Sequence, residues 1–220
     1  MFNKFTFAVP AAALLLSVTG AANAVVVLGV YNTGVSATGG ALAAGDGQID
    51  PHYLVASSTE IGVLPGTNAR TYYNPAYLTD GPLSRIVNAT GNANGTPNST
   101  TTFATTFSLA GFNPATATLS GQTLFDDSGE IFLNGTQIAS TITGFNTLTT
   151  FGTSANIFNA GLNTLTFVLH NVGGPEAFQV AGLTVTAGAV PEPATWGMML
   201  AGFSMVGLGM RRRTRNVVAA

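Results

Sequence analysis

Three stretches of the chain alternate apolar and polar positions with a period of two. In "TTFATTFSLAGF", Phe103, Thr105, Phe107 and Leu109 fall on one face. In "GLNTLTFVLHNVGG", Leu165, Phe167 and Leu169 face one way, and Thr164, Thr166, Val168 and His170 face the other. "AFQVAGLTVTA" reads as a final strand of the same kind. A period of two is the signature of a strand with one buried face. Between the first two lies "GEIFLNGTQIAS", where Asn134-Gly135 separates Ile131-Phe132-Leu133 from Gln137-Ile138. Asn-Gly readily adopts the positive φ angles of a two-residue hairpin turn, so this stretch predicts a hairpin. The pattern predicts no helix between the two chain ends. Short strands with Gly and Asn turns predict an all-β fold, a single sandwich or jelly roll. The stretch "NATGNANGTPNSTTT", 88–102, is expected to be a low-complexity loop or disordered.

The two ends break this pattern. The N-terminus, "MFNKFTFAVPAAALLLSVTGAANA", places Lys4 before an apolar run, and Ala22-Asn23-Ala24 supplies a small-x-small cleavage site. These three parts in order predict a secretory signal peptide over 1–24, cut after Ala24. At the other end, Pro191 and Pro193 keep the chain extended around Glu192. From Ala194 to Met210 no residue is charged. As a helix this run spans about 26 Å, the short end of what crosses a bilayer. Trp196 stands at one edge as an interfacial aromatic, and Arg211, Arg212 and Arg213 follow as the cytoplasmic flank. Three segments result: the signal at 1–24, the β domain at 25–189 and a tail at 190–215 that ends in a transmembrane helix.

Composition sharpens this division. Only 7% of the 220 residues are charged while 46% are hydrophobic, against about 25% charged in an average domain. The β domain draws its polarity from Thr, Asn, Ser and Gly. Five of the seven basic residues sit at the chain ends, so the stretch from Asp46 to Glu192 sets two cations against nine acids, a net −7. Nucleic-acid binding needs clustered Lys and Arg and is excluded as a partner class. The absence of cysteine excludes disulfides, thiolate metal sites and a cysteine nucleophile.

Few residues offer chemistry. His52 and His170 are not spaced as zinc ligands. Asp126, Asp127 and Glu130 form the one dense acidic cluster. It reads as a solvated turn before the hairpin or as oxygen ligands for calcium, the single cofactor the sequence leaves open. No nucleophile elbow or phosphate-cradling loop is present, and the chain is expected to be no enzyme. "RTYYNPAY" gathers Tyr72, Tyr73 and Tyr77 beside Arg70. Aromatic faces stack on sugar rings, which makes this the candidate carbohydrate contact; packing in the sandwich is the other reading.

The tail closely resembles the PEP-CTERM sorting signal, in its PEPxxW variant, through Pro191-Glu192-Pro193, Trp196, the Gly-rich apolar run and the arginine cluster. That resemblance implies export by a Gram-negative bacterium and a transient stay in the inner membrane. It implies recognition by an exosortase, a membrane-embedded cysteine protease of transpeptidase type, and delivery to the cell surface or beyond. It also implies association with exopolysaccharide or biofilm. The central order "FSLAGFNPATATLSGQTLFDDSGEIFLNGTQIAS", then "FNAGLNTLTFVLHNVGGPEAF", resembles the galactose-binding-domain-like jelly roll, with "IDPHYLV" as its opening strand. Glu176-Ala177-Phe178 departs from the small residues that follow "GGP" there. Together the resemblances imply an exported protein with a structural or adhesive role in the matrix. A lectin-like module with one defined sugar site is the alternative.

Overall fold

A computed structural model describes residues 23–78, 80–190 and 193–215. Ala22, Pro191 and Glu192, and the signal peptide up to residue 22, lie outside the described residues, as do the side chains of Pro193, Arg212 and Arg213. The strands run β1 (Ala24–Val26), β2 (Ile49–Ser58), β3 (Asn68–Thr71), β4 (Val87–Asn88), β5 (Ser99–Ser108), β6 (Phe112–Leu133), β7 (Thr136–Thr153), β8 (Leu162–Asn171) and β9 (Ala177–Ala189). One helix, α1 (Pro193–Arg215), follows. The fold is all-β, as the alternation predicts. In β5 and β8 the apolar positions named above are buried and most of the intervening ones are not.

All strand pairs are antiparallel, in the order β1-β9-β4-β3-β2-β5-β8-β6-β7, and β9 also pairs with β6. That last pairing closes seven strands into a barrel-like sandwich and leaves β1 and β7 attached outside the ring. The 22-residue β6 makes closure feasible. Its first part pairs with β9, from Phe112↔Ala189 to Asp126↔Ala177. Its last part pairs with β8, from Ser128↔His170 to Leu133↔Leu165. The partner therefore changes at Asp126–Ser128. The core fills the ring with Tyr53, Phe103, Phe125, Phe167 and Phe178, all fully buried. Phe178 is their hub, with ring centroids 4.6 Å from Phe103, 5.6 Å from Phe167, 5.9 Å from Tyr53 and 6.1 Å from Phe125.

The Asn134-Gly135 turn joins β6 to β7 with φ of 51° and 81°, and Leu133 pairs with Thr136. Both flanking strands are far longer than the short hairpin the sequence predicts. Asn134 has a second task. Its Oδ1 accepts from the Thr164 N–H at 2.9 Å, and its Nδ2 donates to Asn163 Oδ1 at 2.8 Å. The "LNG" turn and the "GLNTL" turn thus meet side by side, which gives their co-occurrence a physical basis.

Three expectations are corrected. The stretch 88–102 is neither one loop nor unstructured: β4 ends at Asn88 and β5 begins at Ser99. Asn88 Oδ1 caps the turn between them, accepting from the N–H groups of Thr90 and Gly91 at 3.1 and 2.6 Å. The cluster Asp126, Asp127, Glu130 is not a turn before the hairpin; it lies inside β6. The third concerns the transmembrane helix. α1 forms where the tail's apolar run predicts a helix, and Trp196, Leu200, Phe203, Val206 and Leu208 are exposed along it. Among the described residues, however, no helix is long and apolar enough to cross a membrane. The interspersed Gly and Ser lower its hydropathy, and the uncharged run from Ala194 to Met210 reaches about 26 Å, short of a hydrocarbon core of about 30 Å.

Replacing Gly135 with valine places a β-branched side chain at a φ of 81° with open space around its Cβ. Strain at the backbone is the only cost, about 1–3 kcal/mol. Urea unfolding of the purified protein is expected to show a lower midpoint with an unchanged slope.

Candidate functional site

The tyrosine segment follows β3 directly. The Tyr72 N–H donates to the Ile86 carbonyl at 2.9 Å, so the chain leaves the sheet at Tyr72 and returns at Ile86, with a flap formed by 72–78 and 80–86. The flap carries its own small core of Tyr72, Tyr77, Ile86 and Ala177, with Phe145 of β7 packed on it. Tyr72 and Tyr77 meet edge to face at 5.8 Å. Their exposures of 6% and 8% make them packing residues, whereas Tyr73 is 61% exposed. Arg70 does not join them. Its Nη1 donates to the Gly47 carbonyl at 3.1 Å, which ties down the 45–48 loop.

A cleft of about 290 Å³ opens beside this flap, lined by Ala44, Tyr72, Tyr73, Asn74, Tyr77 and Asp80 among others. Its frame is well held. Asp46 Oδ1 accepts from the Tyr73 N–H at 2.6 Å, Asn74 Nδ2 donates to Tyr72 Oη at 3.2 Å, and Asp80 Oδ1 accepts from the Ile86 N–H at 3.0 Å. Asp80 Oδ2 also lies 3.6 Å from Arg85 Nε. The cleft thus has one exposed aromatic face, an apolar floor and a few polar groups near its rim. Such a set suits weak binding of a neutral polar ligand.

Of the three acids singled out in sequence, Asp126 and Asp127 lie within hydrogen-bonding range of each other, but among the described residues the three do not gather as one ligand set. Asp126 accepts a hydrogen bond from the Tyr77 hydroxyl, and Asp127 Oδ2 accepts from the Val172 N–H at 2.6 Å. Glu130 Oε2 lies 3.6 Å from His170 Nε2. Among the described residues no three His, Cys, Asp or Glu side chains gather as metal ligands, which lends no support to calcium, one of the two readings the sequence left open for Asp126, Asp127 and Glu130. The histidines are occupied as well. His52 stacks on Tyr31 at 3.6 Å, and His170 Nδ1 sits 3.1 Å from Thr100 Oγ1.

Two acids that carry no local signal stand out instead. Glu60 follows β2 and Glu176 precedes β9, with exposures of 5% and 1%. Their carboxyls face each other within hydrogen-bonding range, and burial first, then Glu60, push the Glu176 carboxyl up to about 9. Asp126 lies close enough to add to that shift. Burial is also the main cause that raises Asp126 itself, and Tyr77 is raised by burial and by Asp126. Nothing in the sequence pairs these positions, because only the closed sheet brings the start of β9 to the end of β2.

Residues 189–213 match the PEP-CTERM protein-sorting motif. The motif marks the chain as an exported protein that an exosortase sorts at the membrane. Among curated proteins no sequence matches the chain. Two similar solved structures come from Clostridium thermocellum. One is the family 11 carbohydrate-binding module of the cellulosomal cellulase Lic26A-Cel5E, at 12% identity and a TM-score of 0.32, covering 69% of this chain and 99% of the module. The other is a family 11 carbohydrate-binding module in complex with a β-1,3-1,4-mixed-linked tetrasaccharide, at 12% identity and a TM-score of 0.28, covering 64% and 86%. The likeness is too loose to transfer any property to this chain.

The Glu60–Glu176 pair has a measurable signature. In the folded protein Glu176 keeps its proton up to about pH 9, whereas in the unfolded chain it loses it near the ordinary value of 4.5. Folding then takes up a proton between these values, so stability falls as pH rises through that window. Thermal melts in monovalent salt are expected to show a Tm that declines from pH 5 to pH 9. Glu176→Gln is expected to flatten that decline.

Proposed function

We propose that the mature domain is a non-catalytic surface or matrix protein of a Gram-negative bacterium, and that it holds extracellular polysaccharide through the cleft at Tyr73. The observation that carries this reading is Tyr73 itself. It is a large aromatic left exposed on a framed cleft, while its neighbours Tyr72 and Tyr77 are spent on packing. A sugar ring on Tyr73 would bury modest apolar area, and Asn74 and Asp80 would meet its hydroxyls. Single-site affinity would be about micromolar to millimolar, and many copies along one polymer would provide retention. The excess of acids over cations between Asp46 and Glu192 favours neutral over anionic polymers at low salt.

Affinity electrophoresis in gels containing the neutral fraction of the producing cell's polysaccharide tests the site. The parent is expected to be retarded, and Tyr73→Ala to run as it does in polymer-free gels. Equal retardation of both would remove the site, and free mobility of the parent would remove the sugar contact altogether. Tyr73→Ala is also expected to unfold at the parent's midpoint, unlike Tyr77→Ala, which empties a buried position.

The sorting signal supports a second expectation. Exosortase processing at Pro191-Glu192-Pro193 would remove the apolar run and the arginines, so the form recovered outside the cell is expected to lack everything from about Trp196 onward. Intact-mass measurement of that form reads this directly. A mass that includes Arg211 would make the tail a retained anchor.

A further inference from the structure

The two edges of the sheet are unlike. β1 ends it on one side with three residues, and β7 ends it on the other with 18. An open edge presents unpaired backbone N–H and C=O groups, and native proteins blunt such edges with short strands, charged side chains, proline or bulges. β1 is blunted by its length. β7 holds no Asp, Glu, Lys, Arg or Pro. Its first part is protected in other ways. The register to β6 shifts four times between Thr123 and Phe132, and the Leu78 N–H of the flap donates to the Phe145 carbonyl at 3.1 Å. The stretch 146–153 has neither protection. Residues 149–153 pair with 119–123 in unbroken register. Among the described residues, no backbone hydrogen bond outside that ladder reaches 146–153. Asn146, Thr147, Thr149, Thr150 and Gly152 are exposed along it.

A strand of its own kind fits this edge. The chain from Asp46 to Glu192 sets nine acids against two cations, so two copies repel wherever those acids meet. β7 is the long edge from which they are absent. Its exposed hydroxyls are self-complementary, since each one both donates and accepts. The protein already joins neighbouring strands in this way. Thr118 Oγ1 and Thr186 Oγ1 meet at 2.7 Å on the exposed face of β6 and β9, and Ser58 Oγ and Thr101 Oγ1 meet at 2.8 Å between β2 and β5. Such cross-strand hydroxyl pairs stabilise antiparallel sheets, and a β7–β7 contact would add more of them along with the backbone ladder.

We propose that two copies of the chain join edge to edge through β7, antiparallel and centred on Thr150, so that the sheet runs on from one copy into the other. The twofold axis stands perpendicular to the sheet. It sets Thr150 opposite the partner's Thr150 and Thr149 opposite the partner's Phe151, and every side chain stays on its own face of the sheet. Each copy spends its one long edge in the contact. Only the three-residue β1 remains open, so assembly stops at two. The contact requires no ligand, and a dimer would carry two Tyr73 clefts to one polymer.

Sedimentation velocity over a concentration series, on the protein recovered from outside the cell, reads the assembly. The expected result is a monomer–dimer equilibrium with nothing larger. Thr150→Lys sets like charges opposite each other and is expected to weaken dimerisation about tenfold, whereas Thr150→Ser keeps it. The chain has no cysteine, so Thr150→Cys supplies a lone thiol. Opposite residues of an antiparallel pair have Cα atoms about 4.5–5.5 Å apart, within reach of a disulfide. Mild oxidation is expected to convert Thr150→Cys to a covalent dimer and to leave Ala110→Cys, exposed at the turn between β5 and β6, monomeric. A parent that stays monomeric throughout, or that forms species larger than a dimer, would overturn the proposal. Equal association of parent and Thr150→Lys, or equal cross-linking of the two cysteine variants, would do the same. If Thr150→Lys fails to fold, the cysteine variants decide.

Discussion

The ring of Phe178 meets aromatic rings from β2, β5, β6 and β8, while its backbone pairs with Val87 on one side and Phe125 on the other. Closure of the sheet between β9 and β6 runs through this residue. Burying a phenylalanine side chain contributes about 1.5–3 kcal/mol, and each well-oriented ring pair adds about 0.5–1.5 kcal/mol. Those gains fall at the seam where the closed sheet would otherwise part. Everything of functional interest hangs from that seam. The flap with its tyrosines packs on Ala177, one residue before Phe178, and Glu176 is buried one residue earlier still.

The strand alternation and the Asn134-Gly135 turn were legible in the sequence because both are local. A period of two and a pair of positive φ angles are set within a few residues. Strand length was not legible. β6 continues through Asp126-Asp127, where composition suggests a turn, because its partner changes from β9 to β8 at that point. Such an exchange is a property of the closed sheet. The departure at Glu176-Ala177-Phe178 was visible as an oddity. Its meaning, one acid and one ring driven into the interior together, needed the topology.

The candidate site shows the same limit from the side of chemistry. The acids that cluster in sequence do not gather as one ligand set, while Glu60 and Glu176, distant in sequence, were brought face to face. Tyrosines adjacent in sequence were divided between core and surface. "TYYNPAY" names three aromatics, and only contact with Phe145 and Asp126 decides that Tyr77 packs inward while Tyr73 does not. Arg70, nearest to them in sequence, serves a loop. Residue type marked where to look, and burial decided which residue was available.

The direction of β9 has a geometric consequence. Its first residues, Ala177 and Phe178, lie at the cleft end of the molecule, and its last, Ala189, leads into the tail. Ala24 pairs with Gly188, so the segment following the signal peptide emerges beside the tail. Thirteen residues of extended strand separate the two poles by about 40 Å. The cleft end and the tail end of this strand therefore lie several Debye lengths apart, each about 8 Å at physiological salt. At that distance charge gathered at the tail end is screened out before it reaches Tyr73.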